Sequence, residues 1–258
     1  MPEILEVESF RIQAEVATGR VIESVYTPDD HYLKNVEARA LNQLLPGQEV
    51  KEVRRIGKLL LLETTGLTLG LRFGMTGRLV ADEQVPLDQL YFERYKDKPE
   101  WRRFGLTFVG GGSLVMSDPR RFGSVWLDPD TSKMGVDAFE LTPDALQEIL
   151  ASSRAAVKTR LLDQSRIAGI GNLLVDEILW EAGINPRRPA NSLSEGETAK
   201  LATVIPEILK ILGERGGSHT GELYPHRNKG AVCPNDGTPL EHYTLSTRTT
   251  WWCPGHQH

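Results

Sequence analysis

Residues 50–73 read VKEVRRIGKLLLLETTGLTLGLRF. Three β-rich runs, 50–56, 59–64 and 67–73, are separated by Gly57-Lys58 and by Thr65-Gly66. Short runs of this composition, bounded by glycine, predict strands joined by tight turns. The pattern extends both ways, to 21–26 on one side and to 104–109, 114–116 and 125–127 on the other, with Gly70, Gly74, Gly77 and Gly110-Gly111-Gly112 as punctuation. Residues 21–127 therefore read as an antiparallel sandwich or barrel, interrupted by one helix at about 36–45.

The flanks carry a different period. In residues 3–18, Ile4 or Leu5, Val7, Phe10, Ala14 and Ala17 recur at spacings of three and four, the mark of an amphipathic helix. Pro2 would stand in its first turn, where proline is tolerated. Beyond Asp128-Pro129-Asp130 the signals become helical, at 143–150, 157–163, 172–182 and 194–213, and Pro206 should kink or split the last of these. The chain thus reads as an α+β multidomain protein, divided at 1–130, 131–222 and 223–258. Both cysteines, Cys233 and Cys253, and five of the six histidines fall in the last forty residues. Such a concentration points to a metal or a small module; a solvated tail is the plain alternative.

Composition excludes several classes. With 40% hydrophobic and 25% charged residues the chain is that of a globular protein, and no apolar run is long enough for a membrane span. Acids follow directly after Met1-Pro2, against an export signal, and two cysteines are few for a disulfide-built secreted fold. A cytoplasmic protein is expected. The net charge of -5 argues against nucleic acid, but basic residues gather locally at 51–58, at 94–103 and at Arg120-Arg121. A face built from them would bind phosphate while the rest stays acidic; taken singly, such runs are ordinary solvated charges.

Three segments carry chemistry. Met-Pro favours removal of the initiator methionine, which would leave Pro2 as a secondary amine whose protonated form is disfavoured at the positive end of a helix dipole. A neutral amine is a nucleophile, and Glu3 beside it can shuttle protons. Proline at position 2 otherwise serves as a helix starter. In Ala168-Gly169-Ile170-Gly171-Asn172, two glycines and a capping Asn would expose backbone N–H groups able to hold a phosphate, although a plain interhelical turn has the same composition. In Asp118-Pro119-Arg120-Arg121-Phe122-Gly123, two arginines beside an aromatic suit a wedge inserted into a duplex, as well as a surface turn with one buried Phe.

Together, Pro2-Glu3 with Glu6-Val7-Glu8, Gly57-Lys58, Gly74-Met75-Thr76-Gly77, residues 118–123 and residues 168–172 resemble the formamidopyrimidine-DNA glycosylase and endonuclease VIII family, in the family's order along the whole chain. The resemblance implies an N-terminal β-sandwich with flanking helices, a helix–two-turn–helix domain and a C-terminal zinc-finger-like β-hairpin. Double-stranded DNA containing a damaged base or abasic site would lie in the cleft between the domains of a monomer. It further implies that Pro2 attacks the sugar C1′ to form a Schiff base and that Glu3 opens the sugar ring. Lys58 would contact the phosphate beside the lesion, with Asn172 holding phosphate and Lys158 near the lesion pocket. Met75, Arg120 and Phe122 would fill the gap left by the flipped nucleotide, with Arg121 also on the DNA face, and Arg248 would reach the flanking phosphate from the hairpin tip.

Three departures from the family pattern stand out. Leu5 replaces a second proline. The stretch between Gly216-Gly217 and Cys233 is shorter than the loop that covers oxidised guanine in the formamidopyrimidine enzymes. Where the family has two Cys-x-x-Cys pairs, this chain has Cys233-Pro234-Asn235-Asp236 and Cys253-Pro254-Gly255-His256. Zinc accepts thiolate, imidazole and carboxylate, so Cys233, Asp236, Cys253 and His256 form a possible set, with His226, His242 or His258 as substitutes for the carboxylate. A metal-free hairpin folded on Leu240, Tyr243, Trp251 and Trp252 is the alternative. The expected activity is that of a bifunctional DNA glycosylase/AP lyase in base excision repair. Its rivals are an abasic-site lyase, a catalytically idle lesion-binding protein and a DNA-binding regulator with a metal module.

Overall fold

The first helix opens on two carboxylates that exchange hydrogen bonds with the backbone. Glu3 is the N-cap of α1 (Ile4–Ala14): its side chain accepts the amide of Glu6, and the Glu6 carboxylate accepts the Glu3 amide at 2.7 Å. This reciprocal box satisfies two otherwise orphaned donors. Pro2 therefore precedes the cap instead of occupying the first turn. The helix ends at Ala14 and passes into a 3-10 turn, Glu15–Ala17, short of the expected residue 18. It buries Ile4, Leu5, Val7, Phe10 and Ala14, with the Phe10 ring 4.6 Å from that of Phe73. Complete burial of a side chain such as Phe10 contributes about 2–3 kcal/mol.

The computed structural model describes residues 2–82 and 98–258; Arg94 and Lys96 of the second basic run lie outside the described residues. The chain forms two compact units, Met1–Ser132 and Lys133–His258. In the first, after α1, come β1 (Ile22–Tyr26), α2 (Ala38–Leu44), β2 (Val50–Ile56), β3 (Leu59–Thr64), β4 (Thr68–Arg72), β5 (Arg78–Ala81), β6 (Arg102–Phe108), β7 (Ser113–Ser117) and β8 (Ser124–Leu127). They build two four-stranded sheets, in the orders β1-β6-β7-β5 and β2-β3-β4-β8. Leu60, Leu62, Leu69 and Leu71 of one sheet share a core with Ile22, Leu79, Phe104, Leu106 and Met116 of the other, so the unit is a β-sandwich. The run Leu59 to Leu62 is buried on both faces, as a continuous apolar strand requires. Strand β5 is absent from the sequence reading because it directly follows the Gly74–Gly77 loop and spans only 4 residues.

The basic run 51–58 is largely neutralised. Lys51 meets Glu49 at 2.8 Å, Arg54 pairs with Glu63 and Arg55 meets Glu8 at 2.8 Å. Arg54 stands opposite Leu61 in the β2–β3 ladder, which puts Glu63 on the diagonal where long side chains meet. The expected phosphate-binding face is thus laced with carboxylates at these positions.

The second unit contains β9 (Val136–Asp137), α3 (Pro143–Ala151), α4 (Val157–Leu161), β10 (Ile167–Ala168), α5 (Asn172–Ala182), α6 (Glu195–Glu214), β11 (Glu241–Leu245) and β12 (Arg248–Trp252). Helices α4 and α5, with the intervening turns, form the helix–two-turn–helix, and β11 and β12 pair as the C-terminal hairpin. Helix α5 packs on α6 and on β12. Thr142 caps α3, and Ser194 with Glu197 forms a capping box on α6. Of the two expected effects of Pro206, a kink or a split, the split does not occur: α6 runs unbroken through it. Proline removes one helical hydrogen bond, but Leu201, Val204, Ile205, Ile208, Leu209 and Leu212 are buried on both sides of it, and that apolar face holds the helix together. Among the described residues no helix is long and apolar enough to cross a membrane.

Candidate functional site

Pro2 and Glu3 sit at the start of α1, and the Glu3 side chain is buried at 1% exposure. Lys58 lies in the two-residue turn between β2 and β3, after Gly57 in the left-handed region (φ 56°). One arginine ties that turn to the helix: Arg55 Nε donates to Glu8 of α1 at 2.8 Å, and its Nη1 donates to the Gly57 carbonyl at 2.9 Å. In the sequence Arg55 is one member of a basic run; in the fold it is a strut that fixes the Lys58 turn relative to the N-terminal helix.

Met75, Arg120 and Phe122 come from two loops that the structure brings together. Gly74 has φ 58°, and a Cβ there would collide with the Phe122 carbonyl, so only glycine lets the loops approach this closely. The buried Asp118 carboxylate then organises both loops. It accepts from Thr76 Oγ1 at 2.6 Å, from the Gly123 amide at 2.8 Å, from the Arg120 amide at 3.2 Å and from Tyr32 OH at 3.3 Å. Burial, together with Asp118, pushes the Tyr32 phenol up, which keeps it a donor. Held this way, Met75 is 42% exposed and Phe122 56% exposed. Exposed apolar side chains of this size suit insertion between bases. The Arg120 guanidinium stacks over the Phe122 ring, 4.8 Å from its centroid.

Arg121 behaves differently from its neighbour. It has φ 59° and grips Asp29 through two hydrogen bonds of 2.6 and 2.7 Å. The guanidinium holds the Asp29 carboxyl below the usual carboxylate range. Arg121, expected on the DNA face, is half exposed and makes this internal bidentate pair, which braces the backbone between Arg120 and Phe122.

Lys158 is fully buried. Its ammonium meets Asp176 of α5 at 2.6 Å, and the Asp176 carboxylate also receives Arg227 at 3.1 Å and the Trp251 amide at 3.2 Å. Burial pushes the Asp176 carboxyl up, and the two cations pull it back. Lys158, expected near the lesion pocket, thus joins α4 to α5 through this buried pair. Gly171, not Asn172, is the N-cap of α5; Asn172 is the first helical residue, and its Nδ2 donates to the Thr249 carbonyl at 3.0 Å. Arg248 is exposed beside the turn Ser246-Thr247, whose φ angles of 48° and 64° form a tight hairpin turn. Glu177 of α5 accepts the amides of Glu222 at 2.6 Å and Leu223 at 3.1 Å, and burial pushes its carboxyl up to about 7.

Near the C-terminus, ligand atoms of Cys233, Asp236, Cys253 and His256 all lie within 4.8 Å of one another. The separations are 3.6 Å for Cys233 Sγ to His256 Nδ1, 3.4 Å for Cys253 Sγ to Asp236 Oδ1, and 3.7 Å for His256 Nδ1 to Asp236 Oδ2. A tetrahedron with zinc-length bonds to sulfur, nitrogen and oxygen has edges of roughly 3.3–3.8 Å. The four residues therefore fit a tetrahedral metal of zinc's kind, and the donor set is one that zinc accepts. Asp236 is kept ionised by the Thr238 amide, which donates to it at 2.9 Å and helps lower its carboxyl to about 2.

Asp118, Arg55, Asp176 and Glu177 are not among the site residues that the sequence singles out. Only Asp118 had a local signal, an Asp whose side chain accepts the amide two residues on. The others are defined by partners distant in sequence.

Residues 1–125 match the model of the formamidopyrimidine-DNA glycosylase N-terminal domain, and residues 134–222 match that of the formamidopyrimidine-DNA glycosylase H2TH domain. Formamidopyrimidine-DNA glycosylases of Bacillus cereus and Xanthomonas campestris are 31% and 32% identical to the chain, with 98% of each chain covered. Among solved structures, the Lactococcus lactis enzyme bound to abasic-site DNA aligns with a TM-score of 0.82 at 26% identity, covering 100% of both chains. The same enzyme with DNA containing a formamidopyrimidine lesion aligns at 0.83 and 26%, covering 99% and 100%. Sequence shared from end to end and a shared fold place this chain in the formamidopyrimidine-DNA glycosylase and endonuclease VIII family.

Proposed function

We propose that the protein is a bifunctional DNA glycosylase/AP lyase of base excision repair, acting as a cytoplasmic monomer on duplex DNA. The observation that carries this reading is Pro2-Glu3 at the start of α1, with the buried Glu3 carboxylate anchored by its capping box. After loss of Met1, the Pro2 nitrogen attacks C1′, the bond to the damaged base breaks, and the base leaves with a proton. Glu3 protonates the ring oxygen, which opens the sugar and yields an imine. β,δ-Elimination then cleaves the strand. Lys58 binds the adjacent phosphate, Met75, Arg120 and Phe122 fill the vacated stack, and Asn172 and Arg248 hold phosphate. Residues 1–130 serve as the catalytic domain, 131–222 as the DNA-binding domain and 223–258 as the finger.

Zinc is the proposed metal, held by Cys233, Asp236, Cys253 and His256. It would supply folding free energy to the hairpin, not chemistry on the substrate. Elemental analysis of the purified protein is expected to give close to one zinc per chain, with less retained in D236A. Active, stable and metal-free protein would remove zinc from the proposal.

Borohydride is expected to trap the protein on a duplex containing an abasic site, because the imine is reducible. An N-terminal extension ahead of Pro2 should abolish trapping; unchanged trapping would exclude Pro2 as the nucleophile. A second reading, lyase action on abasic sites alone, is favoured by the segment 218–226. It forms two short 3-10 turns, pinned by Glu177, where relatives are expected to have a long lesion loop. Separate assays of base release and strand cleavage on single-lesion duplexes distinguish the two.

A further inference from the structure

Trp180 lies in the last turn of α5, and two of its atoms meet two different members of the Cys233, Asp236, Cys253 and His256 cluster. Its carbonyl oxygen is 3.0 Å from His256 Nε2, and its indole Nε1–H donates to Cys233 Sγ at 3.3 Å. A carbonyl oxygen only accepts, so Nε2 carries the proton and the neutral ring leaves Nδ1 as a bare lone pair. Nδ1 is the nitrogen that faces Cys233 and Asp236, at 3.6 and 3.7 Å. The Trp180 ring meets the imidazole edge-on, with centroids 5.6 Å apart and planes at 79°, which restricts rotation of the histidine. The indole N–H is a donor only, and it is directed at the Cys233 sulfur, which restricts where that sulfur can lie.

We infer that Trp180 is the positioning residue of the metal site: through its carbonyl it selects His256 Nδ1 as the ligand, and through its indole N–H it holds the Cys233 sulfur in place. The inference rests on the zinc reading above. It also fastens the metal site to the helix that begins with Asn172 and carries Asp176. Partners that orient ligands in this way typically change metal affinity by roughly 10–100-fold when removed.

The test uses the full chain, stripped of metal and refilled with cobalt(II), compared with W180F, which keeps an aromatic ring and loses the N–H. The expected result is a sulfur-to-cobalt charge-transfer band and tetrahedral cobalt bands in the parent protein. In W180F the charge-transfer band should shift and cobalt affinity should fall roughly 10-fold or more. A residue that merely filled the core would leave band and affinity unchanged, and that outcome overturns the inference while sparing the zinc reading. If the parent protein gives no tetrahedral cobalt spectrum, the zinc reading falls and this inference with it. A second measurement does not depend on how W180F folds. Nitrogen-15 NMR of the zinc-loaded parent protein should find His256 protonated at Nε2 and unprotonated at Nδ1; the reverse pattern overturns the inference.

Discussion

The Lys158 ammonium lies 2.6 Å from the Asp176 carboxylate, and neither side chain is exposed. Breaking a buried pair by removing one partner leaves an uncompensated charge, at a cost of about 3–5 kcal/mol. D176A and K158A are each expected to lower stability by about that amount in urea unfolding. The double variant K158M/D176L should lose less than the sum of the two. Single losses near zero would mean that the pair is solvated and that Lys158 is available to DNA after all.

The approach of Gly74 to Phe122 predicts that G74A disturbs both exposed loops at once. A side chain at φ 58°, against a backbone carbonyl, costs about 1–3 kcal/mol of strain. Affinity for a duplex with an abasic site is expected to drop by roughly 10-fold, since 1.4 kcal/mol is a factor of ten. Fluorescence anisotropy measures it; G74A binding like the parent protein would separate the loops from DNA binding.

Glu177 makes stability depend on pH. Burial raises its carboxyl from the ordinary 4.5 to about 7. The folded protein therefore holds this proton more tightly than the unfolded chain does, so the contribution is fully present below pH 4.5 and is lost as pH rises through about 7. Its size is at most about 3 kcal/mol. E177Q should flatten the change in melting temperature between pH 5 and 8; an equal slope in both proteins would point to another group.

Arg248 is exposed beside a hairpin turn, and Lys51, Arg54 and Arg55 are occupied by carboxylates. R248A is expected to weaken binding about equally for all duplex sequences and to reduce the slope of log affinity against log salt by about 1. An unchanged slope would take Arg248 out of phosphate contact.

The strands 50–56 and 59–64 and the helix 172–182 could be read from the sequence to the residue, because β-rich runs bounded by glycine and helical composition are local signals. Family motifs in the right order added the helix–two-turn–helix and the hairpin, and the family's ligand spacing pointed to Cys233, Asp236, Cys253 and His256, whose ligand atoms the fold brings within 4.8 Å of one another. A local signal does not decide by itself: Pro206 reads as a kink or a split, and a buried apolar face on either side of it keeps α6 from splitting.

Tertiary structure alone decided which charges face water. Arg55 and Glu8 are 47 residues apart, Arg121 and Asp29 are 92 apart, and Lys158 and Asp176 are separated by two turns; nothing in the composition of a basic run tells a phosphate-binding arginine from one neutralised by a carboxylate. The same holds for Trp180, an apolar position in a helical pattern until His256, 76 residues later, brings its imidazole N–H to the Trp180 carbonyl. Secondary structure is encoded by neighbours along the chain, whereas charge neutralisation and ligand orientation are set by groups that meet only when the chain has folded.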